Sequence, residues 1–270
     1  MTLRADLTGK VAFVAGSTFG IGRAIALKFA ENGADIVVHG IPPADGSEPL
    51  IIPELKKFGH RVIFETGDLR KYPEVRQAVE RAIAKMGKID ILVGSGGGFT
   101  TEEMGLFTDL KPENYIGLIE KQWLSRFHLA KAVVGHMQER KTGKIIFITT
   151  DAGRIPSFRE SLIGGAAAAV VLATKVMARE LGRSGIRINT IGLPPIMGPK
   201  PAETQPAAGS EKVRDPNTSH SDFGDKVSTR QFFPVVPEDI AKAALFLASD
   251  GGDVITGQIL SVNGGLSFPG

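Results

Sequence analysis

The sequence predicts an α/β fold, in which one doubly wound, parallel, seven-stranded sheet carries helices on both faces. Strand-length apolar runs alternate with longer helical patterns along the whole chain, which is the order of βαβ units. The runs are rich in Val, Ile or Phe and hardly interrupted, as expected for strands buried on both faces. No internal repeat divides the 270 residues, so we expect a single domain over residues 1–270.

Each element follows from the local pattern. Seven runs are predicted as strands: Val11–Ala15, Asp35–His39, Arg61–Thr66, Ile89–Val93, Lys144–Thr149, Ile186–Ile191 and Gln258–Val262. Five stretches have helical periodicity: Gly22–Asn32, Glu74–Met86, Gln122–Arg140, Ala166–Gly182 and Glu238–Ala248. Ile41–Pro53, with four prolines, is predicted as a loop. Residues 194–229 follow a strand and are rich in Pro, Ser and charge, which indicates a substrate lid or, alternatively, a solvated excursion.

Composition excludes several classes of protein. Lys and Arg exceed Asp and Glu by only 32 − 29 = 3, and no basic block indicates a nucleic-acid surface. The chain has no cysteine, which excludes disulfides, thiolate metal sites and a cysteine nucleophile; the five histidines show no metal-binding spacing. The first ten residues lack an apolar signal core, and the longest apolar run, Ala166–Ala173, is far shorter than the roughly 20 residues of a membrane span. We therefore expect a soluble, cytoplasmic protein without a metal.

A glycine-rich turn follows the first predicted strand. It reads Gly16-Ser17-Thr18-Phe19-Gly20-Ile21-Gly22 and leads directly into a predicted helix. The glycines permit a tight turn and let a pyrophosphate approach the bare backbone, where the helix N-terminus favours anions. This strand–turn–helix context predicts a dinucleotide site of the Rossmann type; a purely structural turn is the alternative.

The choice between NAD and NADP stays open in the sequence. An NAD site usually has a carboxylate at the end of the second strand, whereas an NADP site has Arg or Lys there. This chain has His39-Gly40-Ile41, and no basic residue lies within the glycine turn. His39 could meet a phosphate or merely cap the strand, so the cofactor is NAD or NADP with neither preferred.

Six ordered segments carry a resemblance to a known family. They are AGSTFGIG at Ala15–Gly22, GDL at Gly67–Leu69, KIDILVGSGG at Lys88–Gly97, GKIIFITTDAG at Gly143–Gly153, TKVMARELGRSGIRINTI at Thr174–Ile191 and the stretch Pro237–Gly265. Over essentially its whole length the chain resembles the short-chain dehydrogenase/reductase family. Together with the glycine turn, the resemblance implies these cofactor-binding residues: Gly16, Ser17, Phe19, Gly20, Ile21, Gly22, His39, Asp68, Leu69, Gly94, Ser95, Gly96 and Ile196.

The resemblance fails at the family's acid–base pair. The family's catalytic Tyr position falls on Ile163 and its Lys position on Ala167. The two tyrosines of the chain, Tyr72 and Tyr115, do not stand directly before the helix that contains these positions. The Ser position holds Thr150 and the Asn position holds Gln122. The resemblance therefore implies a non-standard proton path through Thr150 and Gln122.

The resemblance places the segments Thr149–Asp151, with Arg154, and Arg159–Ser161, with Glu160 at its centre, on the substrate side. We expect Asp151, Arg154 and Arg159 to be solvated loop residues, with acid–base work for Asp151 and an anion clamp for the arginines as alternatives. Residues 164–169 lack large side chains, which predicts tight helix packing or room for a bulky ligand.

The favoured function is an NAD(P)-dependent oxidoreductase acting on a small-molecule carbonyl, imine or enone. Two alternatives remain: a catalytically silent dinucleotide sensor or partner subunit, and a non-redox lyase, isomerase or cyclase that reuses the pocket. The resemblance also implies a homodimer or homotetramer, with no nucleic-acid or membrane partner.

Overall fold

Seven parallel strands form one sheet in the computed structural model, which describes residues 5–98, 103–194 and 230–269. The strands are β1 (Val11–Ala15), β2 (Asp35–Gly40), β3 (Val62–Thr66), β4 (Ile91–Gly94), β5 (Gly143–Thr150), β6 (Ile186–Leu193) and β7 (Ile259–Ser261). Their order across the sheet is β3-β2-β1-β4-β5-β6-β7, and every neighbouring pair is parallel. The predicted fold class is confirmed, and each strand lies within two residues of its predicted ends.

Helices cover both faces of the sheet. They are α1 (Gly20–Glu31), α2 (Ile51–Lys56), α3 (Tyr72–Met86), α4 (Tyr115–Ile119), α5 (Ser125–Glu139), α6 (Ser161–Leu181) and α7 (Pro237–Ala248). One hydrophobic core lies on the face covered by α1, α2 and α7, and includes Phe29, Ile51 and Ile240. The second lies beneath α3, α5 and α6, and includes Val79 and Leu129. Burial of both faces explains why the strands are apolar without alternation.

Three helix boundaries differ from the sequence-based expectation by three residues or more. The loop predicted for Ile41–Pro53 ends early, because α2 begins at Ile51 and buries Ile51 and Ile52. Pro53 falls in the first turn of α2, where its missing N–H leaves no bond unmade. The helix predicted from Gln122 has a π-helical segment, Glu120–Leu124, before α5. Helix α6 begins five residues before the predicted Ala166.

The sheet places a crevice at the carboxyl ends of β1 and β4. Chain connections leave these two neighbouring strands in opposite directions, and ligands of open α/β sheets bind at such a switch point. The glycine turn follows β1, and the loop from Ser95 follows β4. Thr150 ends β5, the next strand along. The predicted lid, residues 194–229, lies outside the described residues apart from Pro194.

One described segment, Ser161–Ser184, is long and apolar enough to cross a membrane by length and composition alone, with a mean hydropathy of 1.7. In the fold this segment packs against β6 and contributes Val170 and Ala178 to a hydrophobic core. A core helix of a soluble protein passes the same test.

Candidate active site and nucleotide-binding crevice

The glycine turn is packed too closely for side chains at two of its positions. A Cβ at Gly16 would lie 2.6 Å from the Cα of Gly96, and a Cβ at Gly22 would collide with the Gly16 carbonyl oxygen. Gly16 and Gly20 have φ of 68° and 58°, in the left-handed region that favours glycine. The spacing of these glycines therefore joins β1, α1 and the loop after β4 at one point.

Backbone donors at the start of α1 fit a pyrophosphate. Helix α1 begins at Gly20, its N-cap residue Phe19 provides no side-chain cap, and its first turn has no acidic side chain. A Cβ at Gly20 would meet nothing within 4 Å, so space is open beside the turn. The first-turn N–H groups lack intrahelical acceptors and the helix dipole favours an anion there. The residues present therefore fit a dinucleotide phosphate.

Ser17 and His39 connect the turn to β2 rather than face the crevice. The Ser17 hydroxyl donates to the Val14 carbonyl (2.6 Å) and accepts from the His39 backbone N–H (3.1 Å). The His39 ring is 1% exposed and lies 5.4 Å from the Phe13 ring. Burial lowers the pKa of His39 to about 4, which leaves the ring neutral. The structure thus corrects the phosphate-binding interpretation of the His39 side chain, because a sealed, neutral ring cannot reach an anion.

The expected adenosine end of the crevice has a pocket of about 690 Å³. Asp68 lines it and its carboxylate binds Arg70, whose hydrogen bonds hold the pKa of Asp68 below its usual value. Arg81, also in the lining, pairs with the buried Glu65. Leu69 lies directly against Gly96. Asp68 therefore lines this pocket and Leu69 lies beside Gly96, while their role in cofactor binding stays a prediction.

The loop after β4 is compressed on three sides. A Cβ at Gly94 would lie 2.9 Å from the Phe147 ring, and one at Gly96 would collide with Leu69. Gly97 has φ of 91° and lies against the Lys121 carbonyl. The Ser95 N–H donates to the Ala15 carbonyl at 3.3 Å, which ties the loop to β1. Glycine here provides backbone clearance.

Gln122 holds this loop from the π-helical segment. Its side-chain amide donates to the Gly97 carbonyl, and the neighbouring Lys121 forms an ion pair with Glu103. Isolated π-helical turns occur frequently at functional sites. Gln122 therefore anchors the loop, and its part in the proton path stays a prediction.

A buried arginine that sequence reasoning missed lies under the same loop. Arg126 is 4% exposed and donates to the Lys121 (2.8 Å) and Ile148 (2.9 Å) carbonyls, and burial lowers its pKa to about 10. No carboxylate pairs with it among the residues that the structure describes. The available signal was a charged residue on the inward face of α5, one helical turn after Gln122.

Thr150 is the last residue of β5, and among the described residues its hydroxyl serves only as a hydrogen-bond acceptor. Its Oγ1 accepts from the Ala152 N–H at 3.2 Å and so caps the short 3₁₀ turn Asp151–Gly153. A hydroxyl that accepts one bond can still donate another. Thr150 can therefore donate a hydrogen bond to a ligand atom.

Asp151 and Arg154 are not the solvated residues that we expected. Asp151 is 3% exposed, and its carboxylate accepts from Arg154, Ser261 and Asn263 at 2.8 to 2.9 Å. Arg154 also bonds to Ser261. The network tethers the end of β5 to β7 and the segment after it, so it leaves Asp151 no free oxygen for substrate chemistry. Arg159 is exposed, as expected.

The small-residue stretch at the start of α6 is tightly packed. A Cβ at Gly153 would lie 2.7 Å from the Ala167 backbone, and a Cβ at Gly164 would lie 2.8 Å from the Ala152 carbonyl oxygen. Ile163 and Ala167 are 4% and 2% exposed. Of the two alternatives, the structure shows close helix packing at Ile163 and Ala167, with no proton donor on either side chain.

A second pocket, of about 430 Å³, lies beside this packing. It is lined by Gly105–Phe107, Ala152, Ile155–Ser161, Gly164 and Gly165. Most of the lining is apolar or small, and Glu160 is its one acidic residue. Glu160 is 6% exposed, and burial raises its pKa to about 7. The resemblance places Glu160 on the substrate side, but nothing near it in the sequence signals its burial or assigns it a chemical role.

Comparisons with known proteins agree with this geometry. The family model described as enoyl-(acyl carrier protein) reductase matches residues 15–267. Cyclohexanol dehydrogenase of Rhodococcus sp. is 29% identical over 281 aligned positions, covering 99% of this chain and all of the relative. Oxidoreductase UcpA of Salmonella typhimurium is 32% identical, covering 97% and 96%. A solved 7α-hydroxysteroid dehydrogenase, complexed with NADH and 7-oxo glycochenodeoxycholic acid, has TM-score 0.81 and 30% identity, covering 96% and 95%.

The chain belongs to the short-chain dehydrogenase/reductase family. It is an oxidoreductase of that type, with the family's sheet and nucleotide crevice.

Proposed function

We propose that the protein is an NAD(P)-dependent oxidoreductase with a non-standard proton path, acting on a small-molecule carbonyl, imine or enone. The uncapped start of α1 carries this proposal, because open N–H donors at Gly20 and an absence of acidic side chains in that turn suit a dinucleotide phosphate. The solved 7α-hydroxysteroid dehydrogenase is complexed with NADH, which supports nucleotide binding by this chain.

The residues that would hold the cofactor lie along the crevice. Gly20, Ile21 and Gly22 would present N–H groups to the pyrophosphate, and Asp68 and Leu69 would border the adenosine. Ile196, proposed from the resemblance, lies outside the described residues. A bound nicotinamide would supply or accept hydride.

Thr150 would orient the substrate. Its hydroxyl can donate a hydrogen bond to the substrate heteroatom while it continues to accept from Ala152. Gln122 would act as a positioning residue, since its amide holds the Gly97 carbonyl and hence the loop beside the nucleotide. Ile163 and Ala167 stand at the family's Tyr and Lys positions and supply hydrocarbon only.

The remaining parts of the proposal rest on the family. We infer one domain over residues 1–270, a substrate lid at residues 194–229, a homodimer or homotetramer, and a cytoplasmic location. Relatives such as cyclohexanol dehydrogenase are named for chemistry at a hydroxyl group, which supports the substrate class.

The experiment has two stages. NADH and NADPH are titrated into the protein by nucleotide fluorescence, and reduction of cyclohexanone, 2-cyclohexen-1-one and 1-pyrroline is then followed with the nucleotide that binds. We expect turnover, and a loss of about 10²-fold in kcat for Thr150→Val, as for removal of one donor at a developing charge. Thr108→Val, at an exposed threonine, is the matched control and should keep full activity.

The outcomes separate the alternatives. The hydrocarbon at Ile163 and Ala167 favours one rival, a silent nucleotide-binding sensor or partner subunit. Tight nucleotide binding without turnover of any probe would establish that rival. Activity that persists after nucleotide removal would indicate a non-redox enzyme instead.

A further inference from the structure

We propose that Glu160 is the catalytic acid of this protein, giving a proton to the substrate heteroatom in place of the missing phenol. The inference rests on the proposed oxidoreductase function and identifies the source of the proton on its non-standard path. It starts from the position of Glu160 in the 430 Å³ pocket rather than from any family residue.

The backbone holds Glu160 at the pocket wall. Its N–H donates to the Ser157 carbonyl (3.2 Å), and its own carbonyl accepts from the Gly164 N–H (2.6 Å). Arg159 before it adopts a left-handed φ of 69°, held by a bond from the Gly105 N–H to its carbonyl (3.1 Å). That turn leaves Arg159 exposed and Glu160 buried. Strained backbone of this kind persists where the surrounding structure fixes it, often at functional sites.

Glu160 also stands one helical turn before the position of the lost phenol. Glu160 is the N-cap residue of α6, and the bond from the Gly164 N–H to its carbonyl places it beside the first turn, which contains Ile163 and Gly164. Gly164 and Ala152 both line the pocket, and the Ala152 N–H bonds to the Thr150 hydroxyl. Ala152 thus joins the pocket that carries Glu160 to Thr150, and the proposal places the substrate heteroatom between these two side chains.

The carboxyl group is buried without a partner. No cation and no hydrogen-bond donor contacts it within the described parts of the chain. Burial alone raises its pKa to about 7, so the group exists in both protonation states near neutrality. Asp151 contrasts with it, because three donors occupy that carboxylate.

The charged and titratable groups on the surrounding segments leave Glu160 unpaired. They are Arg159 beside it, Asp151 with Arg154, Glu103 with Lys121, and Tyr115 on α4. Arg159 is exposed to solvent. Asp151 forms an ion pair with Arg154, and Glu103 forms one with Lys121. None contributes to the shift at Glu160, whose cause is burial.

For a ketone, a bound reduced nicotinamide nucleotide would supply the hydride of the new C–H bond, and the C=O π pair would move to oxygen. The Glu160 O–H bond breaks and its proton forms the alcohol O–H, which leaves Glu160 as a carboxylate. Solvent returns the proton through the open side of the pocket, beside the exposed Phe107 and Phe158. Oxidation of the alcohol runs the same transfers in reverse.

The test compares Glu160→Gln with Glu113→Gln, the same change at an exposed site in a short 3₁₀ turn. With the probe ketone or imine that the wild type reduces fastest, kcat should fall about 10²–10⁴-fold in E160Q and stay unchanged in E113Q. Wild-type reduction should decline above about pH 7, and this limb should vanish in E160Q. The conservative E160D should recover part of the rate.

A second readout needs neither nucleotide nor substrate. Infrared spectra of the free protein should contain the carbonyl stretch of a protonated carboxylic acid that titrates near pH 7 and is absent in E160Q. The nucleotide Kd should be the same in wild type, E160Q and E113Q, which separates a proton role from cofactor binding.

Each result decides the matter. Undiminished reduction by E160Q, an unchanged pH profile, or no titrating carboxylic acid band would overturn the assignment of Glu160 while leaving the oxidoreductase function intact. Absence of turnover in the wild type would overturn both proposals.

Discussion

Asp151 and Arg154 form an ion pair that is almost sealed from water, with Oδ1 of Asp151 2.8 Å from Nη2 of Arg154. The same Oδ1 accepts from Ser261, and Oδ2 accepts from Asn263 at 2.9 Å. Gly192 permits the arrangement, because a Cβ there would collide with Asp151. One carboxylate therefore ties the end of β5 to β7 and to the segment after it, and lies closely against β6.

We expect Asp151→Asn to lower the free energy of unfolding by about 3–5 kcal/mol, because it leaves the Arg154 guanidinium buried without its counter-ion. Chemical denaturation measures the change. Asp253→Asn is the matched control: its ion pairs with Lys144 and Arg187 lie at a carboxylate about half exposed, and should be worth no more than about 1 kcal/mol. Equal losses in the two variants would contradict the prediction.

A second prediction concerns the contact between Gly22 and Gly16. Gly22→Ala should cost about 1–3 kcal/mol of stability and abolish measurable nucleotide binding, since its Cβ would displace the Gly16 carbonyl and the turn with it. Nucleotide fluorescence titration and thermal unfolding measure the two effects. Gly165→Ala serves as control, because a Cβ there meets nothing within 4 Å and should leave both properties intact.

Burial of His39 predicts a pH-dependent stability. Its pKa is about 4 in the folded protein and 6.5 in the reference state, so the unfolded chain takes up the proton first as pH falls. The contribution of the buried neutral ring to the free energy of unfolding is fully present above pH 6.5 and is lost as pH falls from 6.5 to 4. Relative to wild type, His39→Phe should gain up to about 3 kcal/mol over that interval.

Denaturant unfolding at several pH values gives the difference between the two proteins. Val38→Ala, a non-titrating change on the same strand, should shift stability by an amount that does not vary with pH. Parallel curves for His39→Phe and wild type would show that the ring is not held neutral.

Burial of Glu160 predicts that the free energy of unfolding changes with pH in the direction opposite to that for His39. The pKa of Glu160 is raised to about 7 from 4.5, so the folded protein holds this proton more tightly than the unfolded chain does. The resulting stability is complete below pH 4.5 and is lost as pH rises through 7. Relative to wild type, E160Q should therefore gain up to about 3 kcal/mol between pH 4.5 and 7. A difference that is constant over this interval would argue against a buried, unpaired acid.

The strands and the glycine turn could be predicted from the sequence because their causes are local. Parallel strands buried on both faces require uninterrupted apolar runs, and Val11–Ala15 and Ile186–Leu193 provide them. The turn could be predicted because the close contacts of Gly16 and Gly22 leave no room for a Cβ. Only glycine fits at these positions, so their spacing is visible in the sequence.

The parts of the site that were missed depend on distant partners. Asp151 meets Ser261 and Asn263, which are 110 and 112 residues away, so nothing nearby distinguishes it from a solvated loop carboxylate. The π-helical segment Glu120–Leu124 adds one residue to a turn, and it contains no Gly or Pro that would mark the irregularity in the sequence. Burial of Glu160 depends on a pocket wall formed by segments some 55 residues apart, as Gly105 shows.

The close packing of Ala167 against Gly153 limits the side chains that position 167 can accept. A long amine at 167 would have to enter space that helix and turn backbone already occupy. A tyrosine at 163 and a lysine at 167 would therefore require the helix and the turn to move apart together. Position 165 has open space instead, so side chains there can be enlarged without that movement.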